Sequence, residues 1–293
     1  MEYYFTQETN FFGNTNPREL LDKYGSPLYV YNEMILRKRC REIMELVDYQ
    51  KYKVNYSAKA NSNLHLLKII HEEGLHADAV SYGEIYVLEM AGFKPQEILF
   101  TSNNISKDEM ELAINKGVTI SVDSLSQLEQ FGRINPGGTV AVRFNPGKGA
   151  GHSEKVITAG NNTKFGIHPE YIPEVKHILR KYNLRLIGIN QHIGSLFMDP
   201  KPYIEAAKSI LSIAENFESL EFIDFGGGFG IPYRKQTGEK KLNVKLLGDQ
   251  LTSLIHDWVN KHQLQPTFLV EPGRYIIAEC GKLLGTVHAT KQN

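Results

Sequence analysis

Short β-rich segments alternate with amphipathic helices along this chain, and this alternation limits its possible folds more than any other feature. Strands that alternate with helices form right-handed βαβ units, which build a parallel sheet. Eight such strands predict a closed (β/α)8 TIM barrel, an α/β fold of about 250 residues. A doubly wound open sheet is the alternative. The predicted strands are Val54–Ala58, Leu75–Ala79, Ile98–Phe100, Thr119–Val122, Val140–Phe144, Leu186–Gln191, Phe222–Asp224 and Thr267–Val270.

Glycines mark the ends of several predicted helices. Three helices stop directly before Gly74, Gly92 and Gly117. A glycine just past a helix adopts the left-handed conformation that often ends it. Two later helices carry an apolar stripe at helical spacing. The predicted helices are Asn32–Tyr49, Asn63–Glu73, Gly83–Ala91, Asp108–Lys116, Tyr203–Phe217 and Lys245–Lys261.

Polar residues and glycines cluster where the predicted strands end. In parallel barrels of this kind the carboxyl ends of the strands hold the active site, so these placements converge on one predicted pocket. In strand order the residues are Lys59; Asp78, Ser81 and Glu84; Asn103 and Asn104; Asp123; Arg143; His192 and Ser195; Gly226, Gly227 and Gly228; and Glu271 with Arg274.

Charge and cysteine content limit the kind of partner. The 33 basic and 33 acidic residues cancel, so the chain lacks the basic excess typical of proteins that bind nucleic acid or anionic membranes. We therefore expect a small-molecule partner. Cys40 and Cys280 lie far apart without metal-ligand spacing, which argues against a disulfide framework and against a Cys-based zinc site, and fits a reducing cytoplasm. Met1–Asn16 lacks the pattern of a signal peptide, and no apolar run predicts a membrane span.

The two ends of the chain predict a second module beside the barrel. A strand candidate, Pro27–Tyr31, precedes the barrel, and the segments Ile276–Glu279 and Gly281–Thr290 after it are β-like. We expect a strand-bearing segment at 1–31, the barrel at 32–275, and the start of a β-domain at 276–293. One strand before the barrel and one or two after it cannot close a sheet of useful size, so this module is predicted to be incomplete.

Three residue types in the predicted pocket carry specific chemistry. An ammonium such as that of Lys59 is costly to desolvate, so it either pairs with a carboxylate or acts covalently as an amine. The glycines of Asp224-Phe-Gly-Gly-Gly-Phe-Gly230 either surround a phosphate with backbone N–H groups or form a tight turn. Glu271 can keep a heterocyclic nitrogen protonated, and its alternative is a salt bridge with Arg274.

His192 has several possible roles. It could act as a metal ligand, an acid–base group or a flat aromatic platform, and a histidine satisfied in the core is the default. The ten histidines form no cluster with metal-ligand spacing, so we expect no metal. Together, Lys59, Arg143, the glycines and Glu271 describe a site for an anionic phosphorylated ring that is anchored by an amine.

Five motifs resemble the pyridoxal-phosphate decarboxylases with the alanine-racemase fold, and within them the diaminopimelate decarboxylase family. The resemblance runs in order from about Pro27 to the C-terminus. The motifs are Tyr-Ser-Ala-Lys-Ala-Asn (56–61), Asp-Ala-Val-Ser-Tyr-Gly-Glu (78–84), His-Ile-Gly-Ser (192–195), Asp-Phe-Gly-Gly-Gly-Phe-Gly (224–230) and Glu-Pro-Gly-Arg (271–274).

The resemblance implies a cofactor, pyridoxal 5'-phosphate, and a role for each matching residue. Lys59 would form the Schiff base, His192 would stack on the cofactor ring, and Glu271 would pair with its pyridine nitrogen. Gly226, Gly227 and Gly228, with the backbone around Gly273 and Arg274, would hold the phosphate. Arg274 would also bind a substrate carboxylate. The remaining matches lie around the cofactor: Asp78, Glu84, Arg143 and Ser195. The segment Lys148–Gly166 resembles the family's mobile active-site loop.

The implied reaction is decarboxylation of meso-diaminopimelate to L-lysine and CO2 in lysine biosynthesis. The alternatives are decarboxylation of ornithine, arginine or carboxynorspermidine in polyamine metabolism, and a non-catalytic barrel that keeps the cofactor and serves a regulatory partner. Family members continue further and form homodimers with shared active sites, so we expect this chain to be a truncated form. Cys280 does not match the family's catalytic cysteine.

Overall fold

Eight parallel strands close into a barrel, in a computed structural model that describes residues 11–147, 163–233 and 238–292. The first barrel strand pairs with both the second and the last, which excludes the open sheet. The predicted (β/α)8 barrel is thereby confirmed. The strands are β2 (Tyr52–Ser57), β3 (His76–Ala79), β4 (Ile98–Phe100), β5 (Thr119–Val122), β6 (Thr139–Arg143), β7 (Arg185–Asn190), β8 (Phe222–Asp224) and β9 (Thr267–Val270), preceded by β1 (Leu28–Tyr31).

Helices connect successive strands, and polar residues begin many of them. Asn63, Ser81 and Ser106 each accept backbone N–H groups at a helix start, and at their ends Gly92 and Gly117 adopt left-handed conformations. The helices are α1 (Pro17–Tyr24), α2 (Glu33–Met44), α3 (Leu64–Glu72), α4 (Tyr82–Ala91), α5 (Lys107–Lys116), α6 (Leu125–Ile134), α7 (Ile172–Lys181), α8 (Pro200–Ala214), α9 (Val244–His262) and α10 (Arg274–Ile277).

The interface between the barrel and its outer helices is densely packed with aromatic rings. Phe268 of β9 stacks on Phe225, with ring centroids 5.6 Å apart, and Trp258 of α9 meets Phe268 edge-on at 6.1 Å. All three side chains are buried. Such rings contribute both buried apolar area and specific geometry, so they anchor the strand ends on which the site is built.

The two ends of the chain meet beside the barrel in a small antiparallel sheet. β1 pairs with β10 (Gly281–Leu284) in the register Leu28↔Leu284 to Tyr31↔Gly281. The strand predicted within Gly281–Thr290 therefore stops at Leu284, where its partner strand begins. The domain boundaries at 31/32 and 275/276 stay predictions.

The β-like reading of Ile276–Glu279 is wrong. Residues 274–277 form the short helix α10, in which Ile276 N and Ile277 N donate to the carbonyl of Gly273. Both isoleucine side chains are buried. A short apolar run does not distinguish a buried strand from a buried helical turn, and here the Pro-Gly bend at 272–273 starts a turn.

Two predicted segments cannot be compared with the structure. Residues 148–162 of the predicted active-site loop, and residues 1–10 of the N-terminal segment, lie outside the described residues. Within the described ranges, every helix is too short or too polar to span a lipid bilayer.

Candidate active site

The predicted site residues converge on the carboxyl ends of the barrel strands. Because β2 to β9 are parallel and closed, all eight of these ends open on one face. Each connecting loop follows directly, so its first residues border a shared space. This face carries Lys59, Asp78, Glu84, Arg143, His192, Ser195, Gly226, Gly227, Gly228, Glu271, Gly273 and Arg274.

Lys59 forms an ion pair with Asp78 at the end of β3. Asp78 is fully buried, and its carboxylate also accepts hydrogen bonds from Ser57 Oγ at 2.9 Å and Thr101 Oγ1 at 2.5 Å. Burial opposes ionisation of Asp78, but the Lys59 charge and these bonds outweigh it and hold the pKa of this carboxyl below its usual value. The carboxylate is thus a fixed negative partner for the amine.

The Lys59 amine itself is charged and reachable. Burial would lower the pKa of Lys59, but the negative charges of Asp78 and Glu271 outweigh it, so the pKa lies above its ordinary value. The side chain is nevertheless 42% exposed at the open mouth of the barrel. An amine in this position can meet a ligand that enters from solvent.

The glycines after β8 lie so close to neighbouring backbone that any side chain there would collide with it. A Cβ at Gly226 would lie 2.1 Å from the Gln191 carbonyl oxygen, and one at Gly227 would lie 1.9 Å from that of Glu271. At Gly228 the nearest atom would be the Gly194 oxygen, 2.3 Å away. Gly226 and Gly228 also have positive φ. The segment is therefore a tight turn whose bare backbone lies against the neighbouring loops, and its binding of a phosphate stays a prediction.

His192 is a neutral ring in contact with this cradle. Its Nδ1 accepts a hydrogen bond from Gly227 N at 3.3 Å. Burial, together with the positive charges of Lys59 and Arg143, lowers the pKa of His192 to about 3. Because Nδ1 acts as an acceptor, we assign the proton to Nε2. A neutral imidazole at this point suits an aromatic platform better than an acid–base group near pH 7.

Glu271, at the end of β9, has a second acid beside it. Glu271 and Asp224 are 4% and 0% exposed, and they lie at the adjacent ends of the paired strands β9 and β8. Burial and the charges of Asp224 and Asp78 raise the pKa of Glu271 well above its ordinary value. Among the described residues no ion pair joins Glu271 to Arg274, so the salt-bridge alternative does not apply.

Arg274 lies at the rim of the site. Its Nη1 donates to Tyr233 Oη at 2.5 Å and its Nη2 lies 3.4 Å from Ser195 Oγ. A cavity of about 470 Å³ borders both Arg274 and Lys59, and Tyr31 of β1 also lines it. Gly273, just before Arg274, packs against Ser57 and Ala60. The guanidinium is thus placed at an entrance that leads to the amine.

Arg143 and Glu84 have partners of their own. Arg143 Nε lies 3.6 Å from Asp123 Oδ1, and both side chains are largely buried. Glu84 accepts a bond from Val80 N at 2.8 Å, which closes the start of α4. Burial raises the pKa of Glu84. Arg143 therefore contributes positive charge to the pocket, whereas the Glu84 carboxyl binds the backbone at the start of its own helix.

Sequence reasoning missed several contributors to the site. Ser57 and Thr101 hold Asp78, and Tyr233 holds Arg274. Ser57 and Thr101 each lie at a strand end, beside residues that were singled out, and this position was the available signal. Tyr233 lies beyond the glycine motif in an irregular segment, where no pattern marks it.

The residues present fit pyridoxal phosphate. The cradle that any Cβ would fill offers backbone to a phosphate, and Lys59 offers an amine. Glu271 is a buried acid directly beside these glycines, because its carbonyl oxygen would lie 1.9 Å from a Cβ at Gly227, and a buried carboxyl can pair with a ring nitrogen. The combination of anchor, cradle and acid is the one that the cofactor's three functional groups require.

Comparisons with known proteins agree with this geometry. The chain is 40% identical over 290 residues to the diaminopimelate decarboxylase of Methanothermobacter thermautotrophicus, covering 96% of this chain and 67% of that protein. It is 32% identical over 275 residues to that of Escherichia coli K12, covering 92% and 64%. The chain thus spans about two thirds of the length of these relatives.

Solved structures show the same similarity. Diaminopimelate decarboxylase from M. jannaschii in co-complex with L-lysine superposes with a TM-score of 0.85 at 29% identity, covering 95% of this chain and 68% of that one. The Helicobacter pylori enzyme complexed with L-lysine gives 0.83 at 29% identity, covering 92% and 68%.

A family model covers most of the barrel. Residues 34–278 match the pyridoxal binding domain of pyridoxal-dependent decarboxylases. This match confirms the prediction of pyridoxal phosphate as the cofactor, and it includes every candidate site residue from Lys59 to Arg274. The chain therefore belongs to the family of pyridoxal-dependent decarboxylases.

Proposed function

We propose that this chain binds pyridoxal phosphate through Lys59 and serves the decarboxylation of meso-diaminopimelate to L-lysine and CO2. The observation that carries the proposal is the grouping of an amine, a glycine cradle and a buried acid at one barrel mouth. The substrate assignment is supported by relatives at 32–40% identity that are named diaminopimelate decarboxylases.

Each residue has a defined task in this proposal. Lys59 would anchor the cofactor through its amine, and the neutral ring of His192 would support the cofactor ring. The negative charge of Glu271 holds a proton on the ring nitrogen. Pyridoxal phosphate supplies the electron sink for the charge left when CO2 departs. The guanidinium of Arg274 binds a carboxylate of the substrate with its forked donors.

The open mouth suits a substrate that brings its own amine. The exposed Lys59 side chain lets that amine approach the anchor, and Arg274 at the rim orients the carboxylate beside it. Fixing the substrate in this way selects which bond is broken. Ornithine, arginine and carboxynorspermidine remain the competing substrates. We also propose that the protein forms a homodimer, which the family resemblance supports. We further propose that it lies in the cytoplasm, which its two free cysteines support.

The test is an absorption spectrum of the full chain after addition of pyridoxal phosphate. The wild type is expected to develop a visible band, and Lys59→Ala is expected to lose it. Lys245→Ala removes an exposed lysine whose ion pair, within the described residues, is with Asp249 of its own helix, and it should keep the band. A colourless wild type would contradict the cofactor assignment.

Substrate-dependent CO2 release then tests the reaction. Diaminopimelate should be turned over faster than ornithine or arginine. Equal turnover of all three would contradict the substrate assignment, and a cofactor band without turnover of any amino acid would favour the regulatory alternative. Sedimentation of the loaded protein tests the homodimer.

A further inference from the structure

Asp224 and Glu271 form a pair of acids at the ends of two neighbouring strands. β8 and β9 are hydrogen-bonded side by side, and Glu271 N continues the contact by donating to Gly226 O at 3.0 Å. Both side chains are almost completely buried. Two carboxylates held this close away from water repel each other and lose their hydration, so ionising both is costly. The nearby cation Lys59 is already paired with Asp78.

Each acid has a buried oxygen without a hydrogen-bond partner in the part of the chain that the structure describes. Gly226 N donates to Asp224 Oδ1 at 2.8 Å, whereas Asp224 Oδ2 and Glu271 Oε1 are buried and find no donor among the described residues. A buried polar atom without a partner carries a free-energy penalty. A single proton held between these two oxygens would remove both penalties at once.

We propose that Asp224 and Glu271 share one proton, and that Asp224, as the neutral acid, donates it in a hydrogen bond to the Glu271 carboxylate. Asp224 is then a positioning residue, which fixes the orientation and negative charge of Glu271. This inference rests on the proposed function only where it concerns the ring nitrogen. The shared proton itself is a property of the protein alone.

In this arrangement each carboxylate oxygen of Glu271 has a separate partner. Oε1 receives the proton of Asp224, which leaves the other oxygen and the negative charge for the ring nitrogen. Asp224 cannot turn away, because its Oδ1 is held by Gly226 N and Gly226 O is held by the buried Tyr203 hydroxyl at 2.8 Å. The glycine cradle and the acid are thus tied into one rigid unit.

The proton balance has a definite pH signature. Burial, with the charge of Asp78, raises the pKa of Asp224 to about 7. The titratable groups that interact electrostatically with Asp224 are Lys59, Asp78, Glu271, Tyr52 and Tyr203. Burial raises the pKa values of the two tyrosines, so both stay neutral in this pH range. The positive charge of Arg143 lowers the pKa of Glu271, against the larger effect of burial. In this window the folded chain binds a proton that the unfolded chain has lost. Stability therefore falls as pH rises from about 4 to 7.

The first experiment uses the full chain without cofactor. Unfolding free energies between pH 4 and 7 should show the release of about one proton on unfolding of the wild type beyond that of Asp224→Asn. Asp249→Asn, which changes an exposed acid of α9, should follow the wild type. In infrared spectra at pH 6, Asp224→Asn and Glu271→Gln should each lose the same protonated-carboxyl band.

The second experiment measures pyridoxal phosphate affinity. Asparagine keeps an acceptor for Gly226 N and supplies an N–H donor to Glu271, so Asp224→Asn should bind the cofactor within about threefold of wild type. Asp224→Ala removes the donor and should weaken binding by about tenfold or more. Rescue by asparagine separates a donor role from simple bulk.

Two results would overturn the inference. One is an unfolding profile of Asp224→Asn that matches the wild type, together with an unchanged infrared band. The other is a loss of cofactor affinity in Asp224→Asn as large as that in Asp224→Ala, which would require Asp224 to act as an anion. Failure of the proposed function would appear instead as a missing cofactor band in the wild type, with the cofactor-free measurements unaffected.

Discussion

The Lys59–Asp78 pair and the Asp224–Glu271 pair lie at the same barrel mouth, but the pKa values of their aspartates shift in opposite directions. Asp78 is as buried as Asp224, yet its pKa is lowered whereas that of Asp224 is raised. The difference is the partner. Asp78 meets a cation and two hydroxyl donors, whereas Asp224 meets another acid.

This contrast shows that burial alone does not decide the protonation of an acid. Desolvation opposes ionisation of the acid in both pairs. The sign of the neighbouring charge determines whether the pKa of that acid ends above or below its ordinary value. One barrel mouth can therefore hold a charged amine–carboxylate pair beside an acid pair that retains a proton. Such separation of pKa values within a site is typical of sites that assign different proton tasks to chemically similar groups.

The largest expected effect comes from neutralising the acid pair. Glu271→Gln removes the negative partner of the ring nitrogen, so cofactor binding should weaken by about 10- to 100-fold, since a hydrogen bond to a charged group contributes about 1.5–3 kcal/mol. Equilibrium titration of absorbance measures the effect. Glu221→Gln, at the opposite end of the barrel, should bind as the wild type. Unchanged affinity in Glu271→Gln would remove Glu271 from the cofactor site.

The second prediction concerns the ion pair of Lys59 and Asp78. Asp78→Asn removes the carboxylate that raises the pKa of Lys59, so this pKa should fall. The neutral amine is the reactive form, and attachment of pyridoxal phosphate should therefore speed up at neutral pH and its pH profile should move to lower pH. Stopped-flow absorbance across pH measures both. A profile identical to wild type would mean that Asp78 does not control the amine.

The third prediction tests the close packing beside Glu271. Gly227→Ala places a Cβ against the Glu271 carbonyl and should destabilise the fold by about 1–3 kcal/mol. Gly285→Ala is the matched control, because nothing lies within 4 Å of its Cβ and its change should stay within about 0.5 kcal/mol. Chemical denaturation compares them. Equal stability of the two variants would show that the backbone yields easily at the cradle.

The smallest effect is expected at the hydroxyl between the two pairs. Ser57 Oγ lies 2.9 Å from Asp78 Oδ2 and 3.1 Å from the Glu271 carbonyl oxygen. Ser57→Ala should cost about 1 kcal/mol in unfolding free energy. Ser209→Ala removes a hydroxyl that donates to the Glu205 carbonyl within α8, and it should change stability less. A reversed order would show that Ser57 adds little to the support of Asp78.

The sequence predicted the barrel and the residue types at its mouth because both follow from local patterns. Strand and helix periodicity, and the glycines at Gly92 and Gly117, need no knowledge of distant contacts. Lys59 and Glu271 were recognised because each directly follows an apolar strand. The reading of Ile276–Glu279 as β failed for the same reason, since a short apolar run contains no signal that separates a strand from a helical turn.

The pairing of side chains across the mouth depends on tertiary structure. Nothing near Asp224 in the sequence identifies Glu271 as its neighbour, or Ser57 and Thr101 as the donors to Asp78. Those contacts arise from barrel closure and from the register that sets Asp224 beside Leu269. The sequence by itself determined which chemical groups are available and on which face they lie. Tertiary structure decided which of them touch, and therefore which carry a proton, because electrostatic energy in a buried site depends on the identity and distance of each neighbour.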